Sequence, residues 1–265
     1  MQGVRSLFGR MMIAASADSL YILRNLISAD FKVRYRNMSL GIFWSLINPL
    51  VMMGVLTFVF TVVFVNDKEN FALFVLVGLL PYNFFSLALS SSAVSLVGNA
   101  PLVKKVPFRR ELVPVSVVFG SVIHYLVQIG LLLVVSAFFV GFSATWAWLP
   151  LILLLQITFV CGLALLCSAL DVYFRDIQYI VESAVVVLFW LAPIFYGLEE
   201  VGQEYAWLYE LNPIAAVILL TRSVLLDATN PSLGTLAKLV FVSLFLLFSG
   251  LFVFRKIERD FADYL

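Results

Sequence analysis

The sequence predicts an all-α protein that crosses a membrane several times, and three observations carry that prediction. Of 265 residues, 63% are apolar and only 12% charged, against roughly 45–50% and 25% in soluble domains. Mean hydropathy is +1.05. The apolar residues also fall in long unbroken runs instead of alternating, which selects helices over barrel strands. So few polar side chains cannot cover a water-facing surface, and lipid must be the solvent for much of the chain. With 17 basic against 16 acidic residues, a generally basic nucleic-acid binder is excluded. Cys161 and Cys167 both lie in an apolar stretch, so neither a disulfide framework nor a zinc cage is suggested.

Near the N-terminus, Arg5 and Ala15-Ser16-Ala17 imitate a signal peptide. Gly9-Arg10 interrupts its apolar core, however, leaving about five residues where at least seven are expected, and cleavage is not predicted. Residues 19–28 put Ile22, Leu23, Leu26 and Ile27 on one helical face and Arg24, Asn25 and Ser28 on the other. That pattern predicts an amphipathic helix in the membrane interface, within about 17–36. A crossing needs about 20 apolar residues. Six stretches qualify, at about 42–65, 71–97, 113–140, 148–170, 179–197 and 236–254.

Between the second and third stretches runs a short segment, 98–112, bounded by prolines. It holds Asn99, Lys104, Lys105, Phe108, Arg109, Arg110 and Glu111. Its apolar residues Leu102, Val103 and Phe108 would face water without purpose in a plain loop, and they suit a docking element covered by a partner. Residues 198–235 contain a further apolar run from Pro213 to Leu220, with Arg222 behind it. At about 14 residues it is short for a span, so a re-entrant segment between spans five and six is expected. Fourteen of the 17 basic residues fall on the side that holds both termini, leaving Lys68, Arg222 and Lys238 on the other. The positive-inside rule then places both ends in the cytoplasm, which requires an even number of spans.

The chemistry that is missing also informs. There is no phosphate-binding loop, no H-E-x-x-H, no C-x-x-C and no second histidine to pair with His124. His124 and Gln128, four residues apart, suit a hydrogen bond to each other or to a neighbouring helix. Ser86, Ser90, Ser91, Ser92 and Ser95 give the second span small surfaces for close packing. Mid-membrane acidic residues of the kind ion-coupled transporters use are absent, and no inverted repeat is evident. The chain shows no energy source of its own, and no catalytic or metal-ligating set.

Four motifs in order carry a resemblance. Arg34-Tyr35-Arg36-Asn37-Met38-Ser39-Leu40-Gly41-Ile42-Phe43-Trp44, with Asn48-Pro49-Leu50, resembles the start of the ABC-2 type permeases that export polysaccharides. Asn99 to Pro114, Asp171 to Ile177, and Pro193-Ile194-Phe195-Tyr196 with Asn212-Pro213 and Arg222 are similar to later segments of that family. The likeness covers roughly residues 20–255. One departure is Pro107-Phe108, which stands where Phe then Pro is expected.

The resemblance implies a single ABC-2 transmembrane domain over 1–265, six spans, and a multi-pass place in the bacterial inner membrane. It also implies a permease homodimer joined to two copies of a separate ATP-binding subunit, which would hold ATP and magnesium; this chain would carry no cofactor. The substrates implied are lipid-linked glycans such as undecaprenyl-diphosphate-linked O-antigen, capsule or teichoic acid, with the O-antigen exporters of Gram-negative bacteria the nearest in look.

On that footing, residues 99–111 are expected to couple to the motor subunit, and their cations to meet anionic lipid or the substrate diphosphate. Arg34, Tyr35, Arg36, Asp171, Arg175 and Asp176 form the expected interface or gate, with Asp171 and Arg175 spaced to pair at i, i+4. Tyr173, Phe174, Trp190, Phe195 and Tyr196 are the candidate stacking platforms of a glycan channel. A membrane-embedded glycosyl- or acyltransferase using a lipid-linked donor is the alternative, with Asp171 and Asp176 as its acidic candidates. A passive scaffold or channel is the third.

Overall fold

The computed structural model describes residues 19–33, 35–36, 41–63, 70–205, 209 and 212–265. Among them every regular element is helical. The elements are α1 (19–33), α2 (Trp44–Phe58), α3 (Phe71–Ala93), α4 (Ser95–Gly98), α5 (Ala100–Lys105) and α6 (Leu112–Phe139). There follow α7 (Leu149–Tyr173), α8 (Ile177–Leu191), α9 (Pro213–Leu225), α10 (Leu233–Ile257) and α11 (Phe261–Tyr264). Flanking turns lengthen three of them, so that five helices are long and apolar enough to cross a membrane: Gly41–Val63, Phe71–Ala93, Leu112–Phe139, Ala144–Tyr173 and Leu233–Asp260.

The stretch expected at 179–197 departs from this. Helix α8 has 15 residues and reaches roughly 22 Å, against a hydrocarbon core of about 30 Å. Pro193 is the cause. A proline disfavours helical geometry in the residue before it, and Ala192 accordingly turns out at ψ 141°. The chain then folds back on itself, with the Ile194 amide donating to the Ala192 carbonyl at 2.7 Å. In the expected re-entrant region, α9 is a 13-residue helix started by Pro213, and the Asn212 side chain accepts the Ile214 amide at 3.1 Å.

Helix α3 is the centre, packed on α2, α6, α7, α8 and α9. Val75 to Leu80 are all buried, as an apolar-all-round sequence requires. Pro81 sits inside it without breaking it, and its carbonyl accepts the fully buried Gln156 side chain of α7 at 2.8 Å. The Tyr125 hydroxyl of α6 donates to the same glutamine at 2.8 Å. One amide thus ties three helices together where lipid offers no partner.

Helices α7 and α10 touch backbone to backbone at Gly162 and Gly250, where a Cβ on either would collide with the facing main chain. Small residues permit that approach, which is how membrane helices gain packing without a hydrophobic drive.

Beside the large membrane core lies a second one at the charged end. It gathers Leu96, Val103 of α5, Val113, Leu165, Ala169, Val172, Phe254 and Phe261. The end of each long helix α6, α7 and α10 contributes to it.

Candidate functional site

The site has two parts, a charged face around α5 and a polar cavity beside α1. Helix α5 exists because Asn99 interrupts the helix before it. The Asn99 side chain donates to the Ser95 carbonyl at 2.8 Å, and its own carbonyl accepts Leu102 and Val103 amides at 3.0 Å each. Pro101 suits the first turn that follows. Lys104 and Lys105 close the helix at its C-terminal end, exposed, where its dipole favours cations.

Val103 was expected to present an apolar docking surface. It is instead 2% exposed and sits in the second core. Lys104 and Lys105 follow it by one and two residues, which turns them to other faces of the helix, so the segment is anchored by Val103 and half-buried Phe108 and displays its charge outward.

The remaining residues of this segment bind the end of α10. Arg109 Nε lies 3.1 Å from Glu111 Oε1, and Arg255 reaches the same carboxylate at 3.8 Å. Arg110 donates to the Glu258 carbonyl. A cavity of about 490 Å³ opens between them, lined by Phe108, Arg109, Arg110, Glu111, Arg255, Glu258 and Arg259.

Asp171, Arg175 and Asp176 stand at the turn from α7 to α8. Asp171 is buried, and its carboxylate accepts the Gln178 amide at 3.3 Å, capping the start of α8 from the preceding helix. The expected i, i+4 neighbour Arg175 makes no close ion pair, because the chain leaves helical geometry at Phe174, though its charge still acts on the Asp171 carboxylate. Arg175 is exposed and reaches the Tyr264 carbonyl at 3.4 Å; Asp176 is exposed and makes no capping bond.

The five aromatic candidates fall into two groups at opposite ends of α8. The Tyr173 hydroxyl donates to the Ile257 carbonyl at 2.8 Å, and its ring lies 4.5 Å from Tyr264, so it fastens the end of α10. Phe174 is exposed beside it. At the far end, Trp190 and Phe195 meet edge to face at 5.5 Å, Phe195 and Tyr196 at 5.3 Å, and the Tyr196 hydroxyl donates to the Trp190 carbonyl at 3.2 Å.

That second group rests on Arg222, a buried cation on α9. Its guanidinium donates to the Ile194 carbonyl at 2.6 Å and the Tyr196 carbonyl at 3.3 Å, and lies 3.5 Å over the Phe74 ring. Gly78 leaves the room: a Cβ there would meet Ile194 Cα at 3.0 Å and the guanidinium at 3.1 Å.

The polar cavity, about 460 Å³, lies between α2, α3, α6 and α8. Trp44, Asn48, Asn83, His124, Gln128 and Phe189 are among its lining residues. None of those residues is Asp, Glu, Lys or Arg. Amides, hydroxyls and ring faces can exchange hydrogen bonds and stacking with a neutral hydroxyl-rich solute without holding it tightly.

Of the two arrangements expected for His124 and Gln128, bonding to each other or to a neighbouring segment, the structure has the second. The Tyr35 hydroxyl meets His124 Nδ1 at 2.6 Å, and Gln128 donates to the Ser45 carbonyl at 2.8 Å. Asn48 and Asn83 were not singled out as lining residues; each is one amide in an apolar helix, a signal that polarity within a span supplies. Arg36 is exposed next to Tyr35, and Arg34 lies outside the described residues. Among the described residues no group of three or more His, Cys, Asp or Glu comes together as a metal cage, and Cys161 and Cys167 are free thiols.

Known proteins share this arrangement of sequence. Over 251 residues the chain is 32% identical to the O-antigen export system permease protein RfbA of Klebsiella pneumoniae, which spans 94% of this chain and 95% of that relative. It is 30% identical over 246 residues to the protein of the same name from Myxococcus xanthus, covering 91% and 94%. The polysialic acid transport protein KpsM of Escherichia coli is 26% identical over 241 residues, covering 87% and 91%. The description "ABC-2 type transporter" matches residues 21–226, and the chain belongs to that family.

Proposed function

We propose that this chain is the membrane permease of an ATP-driven exporter that moves a lipid-linked polysaccharide, undecaprenyl-diphosphate-linked O-antigen in the first instance, across the bacterial inner membrane. Two copies form the path, and two copies of a separate ATP-binding subunit hold ATP and magnesium and supply the work. Both termini and α5 face the cytoplasm, in keeping with fourteen of 17 basic residues on that side. Helix α8 makes the fifth crossing as a short helix over which the bilayer thins, the chain turning back at Pro193, and α9 is a re-entrant helix reached from the outside.

The observation that carries this reading is the seat of α5. Its exposed lysines offer a partner a charged contact, while Val103 lies in one core with the ends of α6, α7 and α10. Packed cores transmit displacement instead of absorbing it, so a push on α5 moves three long helices together. The uncharged cavity and the O-antigen and polysialic acid systems of the relatives point to a glycan as the cargo. Asn99, Lys104, Lys105, Phe108, Arg109, Arg110 and Glu111 act in coupling; Tyr35, Arg36, Asp171, Arg175 and Asp176 act at the gate and interface. Trp190, Phe195 and Tyr196 border the path.

Co-expression with a cognate ATP-binding subunit tests the reading. ATPase activity stimulated by the permease, together with surface polysaccharide that is lost when either gene is removed, is expected. Transfer of sugar or acyl groups from a lipid-linked donor by the purified chain alone would overturn it.

A further inference from the structure

The outward face of α10 carries a feature that transport of a glycan does not use. Phe241, Phe245, Phe248 and Phe252 are each 60–70% exposed, and Arg255 and Arg259 are exposed as well. Spacings of four, three, four and three residues place the first five on one stripe of α10, and Arg259 follows in the short turn Glu258–Asp260. The opposite face, with Ser243, Gly250 and Phe254, is buried. From Phe241 to Phe252 the stripe runs roughly 16 Å, close to the ~15 Å of one leaflet's hydrocarbon. The arginines therefore begin at the depth where headgroups begin.

At that depth lies the 490 Å³ cavity, where four guanidinium groups face two carboxylates, Glu111 and Glu258. Arg109 is engaged by Glu111 and Arg110 by the Glu258 carbonyl. Arg255 approaches Glu111 at 3.8 Å and also lies in the field of Glu258, and its side chain is 52% exposed. Arginine's planar fork matches phosphate oxygens in pairs, and basic pockets beside membrane helices suit anionic headgroups.

We propose that this stripe and cavity form a binding site for an anionic glycerophospholipid, with acyl chain along the four phenylalanines and phosphate held by Arg255 and Arg259. The net charge of the lining, two in excess, complements a phosphodiester headgroup. The phospholipid steadies the joint between the end of α10 and the α5 segment, because the same residues link the two. The site is independent of what the protein carries.

Native mass spectrometry of the full-length chain, titrated with dioleoyl-phosphatidylglycerol in a neutral detergent, tests it. Replacing Arg255→Gln and Arg259→Gln together should weaken lipid binding roughly ten- to thirtyfold. Lys104→Gln with Lys105→Gln removes the same charge from α5 and should leave binding within about twofold of the parent. Equal weakening by both pairs would reveal diffuse attraction and overturn the site. Phe248→Ala with Phe252→Ala should weaken the dioleoyl lipid while sparing the dihexanoyl form; equal effects on both would overturn the acyl path. Thermal stabilisation by inorganic phosphate matching that by the lipid would overturn the lipid assignment in favour of a free anion. Unchanged lipid binding in the Arg255→Gln, Arg259→Gln variant would sink this proposal and leave the transport reading standing.

Discussion

The Tyr35 hydroxyl lies 2.6 Å from Nδ1 of His124, joining the segment after α1 to the middle of α6 across 89 residues. Phe31 of α1 stacks on the same imidazole, with centroids 5.9 Å apart and planes 7° from parallel. His124 also lines the polar cavity, so α1 is latched to the wall of the proposed path. A part-buried hydrogen bond of this kind is worth about 1 kcal/mol net, or about fivefold in an opening equilibrium. Tyr35→Phe should raise hydrogen exchange of residues 19–33 by about that factor, and His124→Ala should raise it further by removing the stacking too. Unchanged exchange in both variants would show that the latch does not hold α1.

Anchoring and charge are separable on α5. Lys104→Ala with Lys105→Ala removes exposed groups and should change stability by less than about 0.5 kcal/mol. Export should nevertheless fall while ATP hydrolysis by the partner continues. Val103→Ala empties part of the second core and should cost about 2 kcal/mol, read as a lower melting temperature of the purified chain. Arg109 and Arg110 are left in place deliberately, since their bonds to Glu111 and Glu258 would mix folding with coupling. Wild-type export from the double lysine variant would remove the coupling role.

Arg222 holds the returning segment after Pro193 against α3 through the Ile194 and Tyr196 carbonyls and the Phe74 ring. Arg222→Ala leaves those carbonyls without their donor and should destabilise the chain by about 3 kcal/mol. Lysine cannot reproduce a planar fork across two carbonyls and a ring, so Arg222→Lys should recover less than half of the loss. Full recovery in a thermal melt would reduce the site to a simple charge.

Hydropathy made the helical class and five long spans legible, because a run of about 20 apolar residues has few alternatives in lipid. It overextended the stretch at 179–197, since apolar residues continue past Pro193 although the backbone cannot. The signal for the break was present in that proline. Lys104 and Lys105 read correctly as outward charge, but Val103 beside them did not read as a rivet. Burial at a helix end depends on Phe254 and Phe261, some 150 residues away, and no local period encodes that. The Gln156 bridge and the Arg222 cradle were hidden for the same reason. Each is a single polar residue that donates to a backbone carbonyl of a distant segment, and a carbonyl leaves no mark on composition.

Asp171 and Arg175 offer the sharpest test of sequence spacing against geometry. If the two acted as an i, i+4 pair, Asp171→Ala and Arg175→Ala would weaken the protein equally. The carboxylate instead caps α8 at the Gln178 amide, and substituting a capping carboxylate costs about 1 kcal/mol, up to about 2. Arg175 is exposed, and its removal should cost less than about 0.5 kcal/mol. Asp171→Asn keeps an oxygen that can accept the amide and should recover most of the loss. Hydrogen exchange at the first turn of α8 should follow the same order, fastest in Asp171→Ala and near parental in Arg175→Ala. Equal effects of the two alanine variants would restore the ion pair and remove the cap.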